Sequence, residues 1–110
     1  MKIHVITKRP GEEPKSTWIE NSLQNLQNYV GGYIETVTIA TDMVIICDEE
    51  GQLKGKEYNS SILGVDFVGD IIFCGVKDGE LADIPIDFKD FKRLFRFLWR
   101  MEDEGERTKQ

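Results

Sequence analysis

Clustered carboxylates are the residues of this chain whose types and spacing come nearest to a chemical site. Asp48, Glu49 and Glu50 follow an apolar run, and their oxygens would suit a hard cation or a basic partner. The spacing matches no calcium-binding loop, and Asp42, at the opposite end of the same predicted strand, would lie about 17 to 20 Å away. We therefore expect Asp48, Glu49 and Glu50 to form a solvated turn that contacts a partner and holds no metal.

Motifs for catalysis and cofactor binding are incomplete. His4 is the only histidine, and its place in a predicted strand favours a structural role over acid–base catalysis. Gly51 and Gly55 are one residue too close for a phosphate-binding loop, and Glu57 stands where such a loop has Ser or Thr. We expect no enzymatic activity and no cofactor.

The two cysteines, Cys47 and Cys74, each lie inside an apolar run, without CxxC spacing and without a neighbouring histidine. Free cysteines are among the most buried residue types. We expect both to be reduced, buried thiols without a metal or disulfide role.

Charge is unevenly distributed along the chain. Twenty acidic and fourteen basic residues give a net charge of −6, which disfavours nonspecific binding to nucleic acid or anionic lipid. Between Asp87 and Met101 the balance is +3, which leaves −9 for the remainder. The basic residues of this segment are Lys89, Lys92, Arg93, Arg96 and Arg100.

Length and composition indicate a single domain, which we place at residues 1–104, followed by a frayed tail at 105–110. No apolar run approaches the roughly 18 residues of a membrane span, and the first residues have a strand pattern rather than that of a signal peptide. We expect a cytoplasmic protein that does not bind membranes.

The hydrophobic pattern predicts an α+β fold: a mostly antiparallel sheet covered by a short helix and a longer C-terminal amphipathic helix. Gly31-Gly32 is expected to end the short helix, and Gly69 to mark a bulge in a long strand. Residues 52–61 have a weak pattern and are expected to be irregular. The predicted strands are 2–7, 15–20, 33–40, 43–48 and 67–76, and the predicted helices are 22–29 and 87–101.

The same pattern predicts which side chains form the core. The set is Ile3, Val5, Trp18, Leu23, Leu26, Val37, Val44, Ile46, Ile71, Phe73, Phe91, Leu94, Phe95 and Leu98.

The run Leu23–Glu35 resembles the signature of a small domain family of unknown function from phages, plasmids and other mobile elements of Gram-positive bacteria. That signature reads Leu-Gln-x-x-Val-Gly-Gly-x-Ile-Glu, and here its positions are Leu26-Gln27, Val30-Gly31-Gly32 and Ile34-Glu35. Further likeness continues to about residue 80. The resemblance implies a genomic context and no reaction. By analogy with small acidic proteins of mobile elements, it implies an anti-CRISPR-like inhibitor of nucleic-acid-dependent host defence, acting through acidic mimicry of phosphates.

We therefore predict a non-catalytic protein-binding module whose contact residues are Asp48, Glu49, Glu50, Glu35 and Tyr33. The expected partner is another protein, such as a host enzyme that handles nucleic acid, or a second copy of the chain. The alternative is nucleic-acid or nucleotide binding by the basic helix, through Lys89, Lys92, Arg93, Arg96 and Arg100.

Overall fold

The structure, a computed structural model, describes residues 1–99. Within this range the chain forms eight strands, two α-helices and a 3₁₀ helix. Their bounds are β1 Lys2–Lys8, β2 Lys15–Glu20, α1 Leu23–Val30, β3 Ile34–Ala40, β4 Met43–Asp48, β5 Tyr58–Ile62, β6 Val65–Val68, β7 Ile71–Lys77, β8 Glu80–Ala82, α2 Phe88–Leu94 and the 3₁₀ helix Arg96–Trp99.

The main sheet has the strand order β2-β1-β7-β4-β3, and every neighbouring pair is antiparallel. β8 extends it by pairing with β7, while β5 and β6 form a separate two-stranded sheet. The two-residue link Thr41-Asp42 joins β3 to β4, with Ile34 opposite Asp48, so the predicted antiparallel hairpin is confirmed. β3 and β2 are the outer strands of the main sheet.

The core lies on both faces of this sheet. On one face, Leu26 and Val30 of α1 pack against Val5 and Ile46. On the other, Phe67 of β6 and the aromatic residues of the C-terminal segment pack around Phe73, whose ring centroid is 4.9 Å from that of Phe91. Because β4 and β7 are central and covered twice, their sequences are nearly continuous apolar runs.

The prediction of a long C-terminal helix is wrong. Asp87 caps α2 as expected, but α2 ends at Leu94, and residues 96–99 tighten into a 3₁₀ helix. This tighter winding keeps Phe91, Phe95 and Leu98 buried while Leu94 is left 65% exposed. The fold is therefore mostly antiparallel sheet with two short helices, and the predicted end at residue 101 lies outside the described range.

The region between β4 and β7 also differs from the prediction. Gly69, at φ +73°, does not form a bulge but turns the chain between β6 and β7. Residues 58–62 are not irregular, because they form β5. Leu63 and Gly64 both have positive φ, which is the requirement of a tight two-residue hairpin turn, and Leu63 disguised that turn in the sequence.

Three residues of the predicted core are exposed. Trp18 lies on the outer strand β2, where its ring is tilted against that of His4 at 5.1 Å between centroids, and its side chain is 60% exposed. Leu23 and Leu94 are exposed on the outer sides of their helices, and Val37 is half-buried. The domain boundaries at 104 and 105 lie outside the described residues and stay predictions. Within residues 1–99, none of the helices combines the length and apolar character needed to cross a membrane.

Candidate functional site

Asp48, the last residue of β4, is a buried carboxylate at the centre of an ionic cluster. Its Oδ2 accepts hydrogen bonds from Lys54 Nζ at 2.8 Å and Lys56 Nζ at 2.7 Å, and its Oδ1 accepts the Glu50 backbone N–H at 2.9 Å. Asp48 is only 5% exposed. The prediction of a solvated turn is therefore wrong for Asp48. We call Asp48, Lys54 and Lys56 the Asp48 cluster.

Both lysines also bind the end of α1. Lys56 Nζ donates to the Val30 carbonyl at 2.6 Å, and Lys54 Nζ donates to the Gly31 carbonyl at 3.1 Å. Carbonyls in the last turn of a helix lack intrahelical partners, and positive charge there is favourable. The Asp48 cluster therefore connects the C-terminus of α1, the end of β4 and the loop before β5.

The Gly31-Gly32 pair is explained by this cluster. Gly31 ends α1 in the left-handed conformation at φ +82°, which confirms the predicted helix stop. A Cβ on Gly32 would lie 2.5 Å from Lys54 Nζ and 2.6 Å from Asp48 Oδ1, and one on Gly31 would lie 2.8 Å from Lys56 Nζ. Gly31 is required by its left-handed backbone conformation, whereas Gly32 is required because the buried Asp48 carboxylate approaches the backbone so closely.

The ionic contacts determine the charge state of Asp48. Burial raises the pKa of Asp48, but hydrogen bonds from Lys54, Lys56 and the Glu50 backbone outweigh burial and lower that pKa to about 2. Asp48 is therefore a carboxylate at neutral pH, with three donors already bound to its oxygens. A general acid or base needs a pKa nearer to the working pH, so the cluster is suited to holding structure.

An exposed turn lies beside the Asp48 cluster. The Tyr33 carbonyl accepts the Glu49 N–H at 2.8 Å, so residues 33 and 49 are held together. The side chains of Tyr33, Glu35, Glu49 and Glu50 are exposed, and Tyr33 is 66% exposed. A shallow depression of about 390 Å³ runs from Tyr33 and Glu50 to the glutamine and asparagine residues of α1, including Gln27. Of the five predicted acidic-side contact residues, Tyr33 and Glu50 line this depression, Glu35 and Glu49 line a separate pocket beside β6, and Asp48 is buried.

A second and smaller pocket, which we call the edge pocket, lies between β3 and β6 and has a volume of about 120 Å³. Its wall includes the apolar side chains of Val37 and Phe67 and the carboxyl-bearing residues Glu35, Glu49 and Asp66. This pocket was not predicted, because β6 reaches the neighbourhood of the outer strand β3 only through the β5–β6 hairpin, whose turn contains Leu63.

The predicted basic surface is arranged differently from a single helical stripe. Lys89, Lys92 and Arg93 are exposed on α2, and Arg96 is exposed on the 3₁₀ helix. Because the α-helix ends between them, they do not share one helix face. Arg100 lies outside the described residues. The C-terminal segment that carries these residues packs on the sheet face opposite to α1. The basic residues therefore lie on the other side of the sheet from α1, the helix whose end the Asp48 cluster binds.

Both cysteines are free and buried, as predicted. Burial, followed by the charges of Glu35 and Asp48, raises the pKa of Cys47 to about 11. Burial raises the pKa of Cys74 to about 12. Neither thiol is ionised at neutral pH, so neither is activated as a nucleophile.

His4 has a serine partner that the sequence did not indicate. Its Nε2 is hydrogen-bonded to Ser16 Oγ across the β1–β2 pair. The nearby Asp83 Oδ1 accepts the backbone N–H of His4, at 2.8 Å. A catalytic triad would instead use its carboxylate to orient the imidazole, so this contact is not the arrangement of a triad. In the described part of the chain, no group of three or more His, Cys, Asp or Glu side chains is arranged to hold a metal ion.

The two lysines of the Asp48 cluster were not predicted, because they lie in the segment Gly51–Glu57, whose pattern is that of an incomplete phosphate-binding loop. Lys54 and Lys56 flank Gly55 in a short turn that follows an acidic residue. Basic residues in such a turn can form ion pairs with a nearby buried carboxylate. Which carboxylate is buried depends on the order of strands in the sheet, and the local sequence does not show that order.

Fold and site together define a small, mostly antiparallel sheet domain with two short helices, in which a buried carboxylate bound by two lysines lies beside an exposed acidic turn. Residues 1–96 match the profile of the domain of unknown function DUF3846, and the chain belongs to that family. No curated protein and no solved structure matched the chain.

Proposed function

We propose that this chain is a non-catalytic protein-binding domain whose contact surface is formed by Tyr33, Glu35, Glu49 and Glu50. The observation that carries the proposal is the support beneath these residues: the Asp48 cluster fixes both backbone segments that present them. Buried ion pairs contribute little net stability compared with apolar packing, and setting one specific conformation is a documented use of them. A preformed turn loses less conformational entropy when a partner binds.

The exposed side chains suit a protein interface. Tyrosine offers a large, rigid, amphipathic contact area and is enriched at interfaces, and Tyr33 is largely exposed. Glu35, Glu49 and Glu50 form no ion pair with the described residues. Their charge would attract a basic surface on the partner and raise the rate of association.

A non-catalytic role is supported by the states of the carboxylate, thiol and histidine side chains, the groups that enzymes commonly use for catalysis. The carboxylate of Asp48 is occupied by three donors, and the pKa values of both thiols are raised by burial. The histidine lies on β1 and contacts Ser16 and Trp18 rather than the turn.

The finer part of the proposal concerns the partner and its setting. The signature's resemblance to proteins of phages and plasmids favours a mobile-element protein that works in the cytoplasm. An acidic turn competing for the basic groove of a host nucleic-acid-handling enzyme would make the chain an inhibitor of host defence. This step depends on genomic analogy and on charge.

Site-specific photo-cross-linking in the native host tests the proposal. The photo-reactive residue benzoylphenylalanine replaces Tyr33 in one variant and Trp18 in a matched control, since Trp18 is also exposed but lies on the opposite outer strand. We expect Tyr33 to cross-link one protein species reproducibly, and the added substitution Glu50→Gln to reduce the yield.

Three results would contradict the proposal. Equal cross-linking of that protein from position 18 would show that the turn is not the contact surface. Cross-links to nucleic acid when the probe replaces Arg93, with none from position 33, would favour the basic surface instead. Self-cross-linking at position 33 alone would contradict the finer part of the proposal, a host enzyme as partner, and would make the turn a contact between copies of the chain.

A further inference from the structure

β3 is an outer strand whose free edge carries little protection before the register shift that follows Thr38. The main sheet ends at β3, so one side of its backbone has no strand partner among residues 1–99. Natural proteins often protect such an edge with charged side chains or bulges. The other outer strand, β2, has Lys15 and Glu20 at its two ends, whereas Glu35 is the only charged residue of β3.

The usable part of this edge runs from Ile34 to Thr38. These residues pair with β4 in regular register, and the register shifts between Thr38 and Ala40. A strand of about this length can recruit an extended peptide through main-chain hydrogen bonds, while pockets for alternate side chains supply specificity.

The edge pocket lies where such an alternate side chain would enter. Glu35 and Val37 line it from β3, so a strand added beside β3 would direct every second side chain toward the same side of the sheet. Its volume of about 120 Å³ is well below the roughly 300–1,000 Å³ of small-molecule sites. The pocket therefore fits one side chain and not a cofactor.

The chemistry of the lining selects a long cationic side chain. Val37, Phe67 and Val65 supply apolar wall for a methylene stem, whereas Glu35, Glu49 and Asp66 supply carboxylates. Asp66 accepts a hydrogen bond from Ser61, and the Cys47 thiol approaches Glu35, but none of the three carboxylates forms an ion pair with a described residue. Lysine or arginine would satisfy both the apolar wall and the excess negative charge.

We propose that β3 binds an extended basic segment of a partner protein as an additional strand, and that one lysine or arginine side chain of that segment occupies the edge pocket. This inference rests on the proposed protein-binding function and specifies its partner. It places the recognition of sequence in the edge pocket and the main-chain contacts on residues 34–38.

Nuclear magnetic resonance titration of the isotope-labelled chain tests the inference with a defined probe. The probe is a capped peptide of alternating valine and threonine with one central lysine, and its matched control has norleucine in place of that lysine. We expect amide shifts concentrated in residues 34–38 and around the edge pocket, and at least about fivefold weaker binding of the norleucine peptide. A third peptide, with alternate backbone amides N-methylated, keeps the lysine but cannot pair as a strand, and it should not bind.

Charge-removing variants supply the second arm. Glu35→Gln combined with Asp66→Asn should weaken binding of the lysine peptide about fivefold, the sum expected for two partly screened charges. Glu13→Gln combined with Asp78→Asn makes the same charge change at exposed residues outside the edge pocket and should leave affinity unchanged. Equal losses in both double variants would show that only net charge matters and would overturn the inference.

The outcomes separate this inference from the proposed function. If no peptide binds, or if the norleucine and N-methylated peptides bind as well as the lysine peptide, the strand-addition inference is wrong. Specific cross-linking from Tyr33 would still stand in that case, because it does not depend on Asp66 or on the β3 backbone. Loss of the Tyr33 cross-link with retained lysine-peptide binding would instead overturn the proposed contact turn.

Discussion

Lys56 places its ammonium group 2.7 Å from Asp48 Oδ2 and, through the same nitrogen, 2.6 Å from the carbonyl of Val30. One side chain thereby joins the end of a central strand to the end of α1. Lys54 repeats this bridge to the next carbonyl, that of Gly31. The relationship explains why the glycine pair, the acidic turn and the two lysines belong to one structural unit although they are separated in sequence.

Removing the carboxylate should destabilise the protein because two ammonium groups would lose their counter-ion. We expect Asp48→Asn to lower the free energy of unfolding by about 3 kcal/mol, the lower end for breaking a buried pair, since both lysines keep some contact with water. Glu49→Gln removes the same charge from the exposed neighbour and should change it by less than about 0.5 kcal/mol. Urea unfolding measures both, and equal effects would refute a special role for Asp48.

The stability of the protein should depend on pH in the acid range because the pKa of Asp48 differs between the folded and unfolded chain. The pKa of Asp48 is lowered to about 2 in the folded chain, from an ordinary value of 3.8. The stabilising contribution is therefore complete above about pH 4 and is lost as the pH falls toward 2. The stability difference between the native protein and Asp48→Asn should shrink over that window, and a constant difference would contradict the lowered pKa.

The close approach at Gly32 predicts a steric effect. Gly32→Ala would place a methyl group against Asp48 Oδ1, which is buried and cannot easily move, so we expect a loss of about 1–3 kcal/mol. Gly79→Ala is the comparison, because Gly79 has open space around it and φ +78°, so its cost is conformational strain alone. Combining Gly32→Ala with Asp48→Asn should give less than the sum of the two losses in denaturant unfolding. Strict additivity would show that the two positions do not interact.

Substitutions at Phe91 and Leu94 test whether α2 ends at Leu94 and a 3₁₀ helix follows. Phe91 is fully buried, and its ring lies against Phe73 and Phe95, whereas Leu94 is largely exposed. Phe91→Ala should cost about 3–5 kcal/mol and Leu94→Ala less than about 1 kcal/mol. A large loss of melting temperature in Leu94→Ala would indicate the continuous helix that the sequence pattern predicted.

Alkaline unfolding should depend on the buried thiol of Cys74. Its pKa is raised to about 12 in the folded chain from 9.0, so above pH 9 the unfolded chain loses this proton first and stability falls. Lys8 has the opposite effect on stability as the pH rises, because burial lowers its pKa. The contribution of Cys74 is therefore measured as the difference in the free energy of unfolding between the native protein and Cys74→Ala. That difference should decrease between pH 9 and 12. A pH-independent difference, or rapid thiol modification without denaturant, would contradict the buried state.

Local sequence patterns were enough to predict the β3–β4 hairpin, the end of α1 at Gly31 and the buried cysteines, because each depends on neighbouring residues or on short apolar runs. The end of α2 was not predictable in this way, since the periodicity of Phe91, Leu94, Phe95 and Leu98 fits a continuous helix and only packing around Phe73 selects the 3₁₀ winding. The same limit applies to the site. Its exposed residues follow from the acidic turn and the family-like signature, whereas burial of Asp48 and its pairing with Lys54 and Lys56 depend on long-range sheet order.

Hydrogen exchange at the Glu49 amide tests most directly whether the Asp48 cluster holds the contact turn. This N–H donates to the Tyr33 carbonyl, so its protection reports on the connection between the two exposed segments. We predict that Asp48→Asn accelerates exchange at Glu49 far more than its global destabilisation explains, while Ile72, in the sheet core, changes only by the global amount. If Glu49 and Ile72 change by the same factor, the turn does not depend on the cluster and the account of a preformed contact surface is wrong.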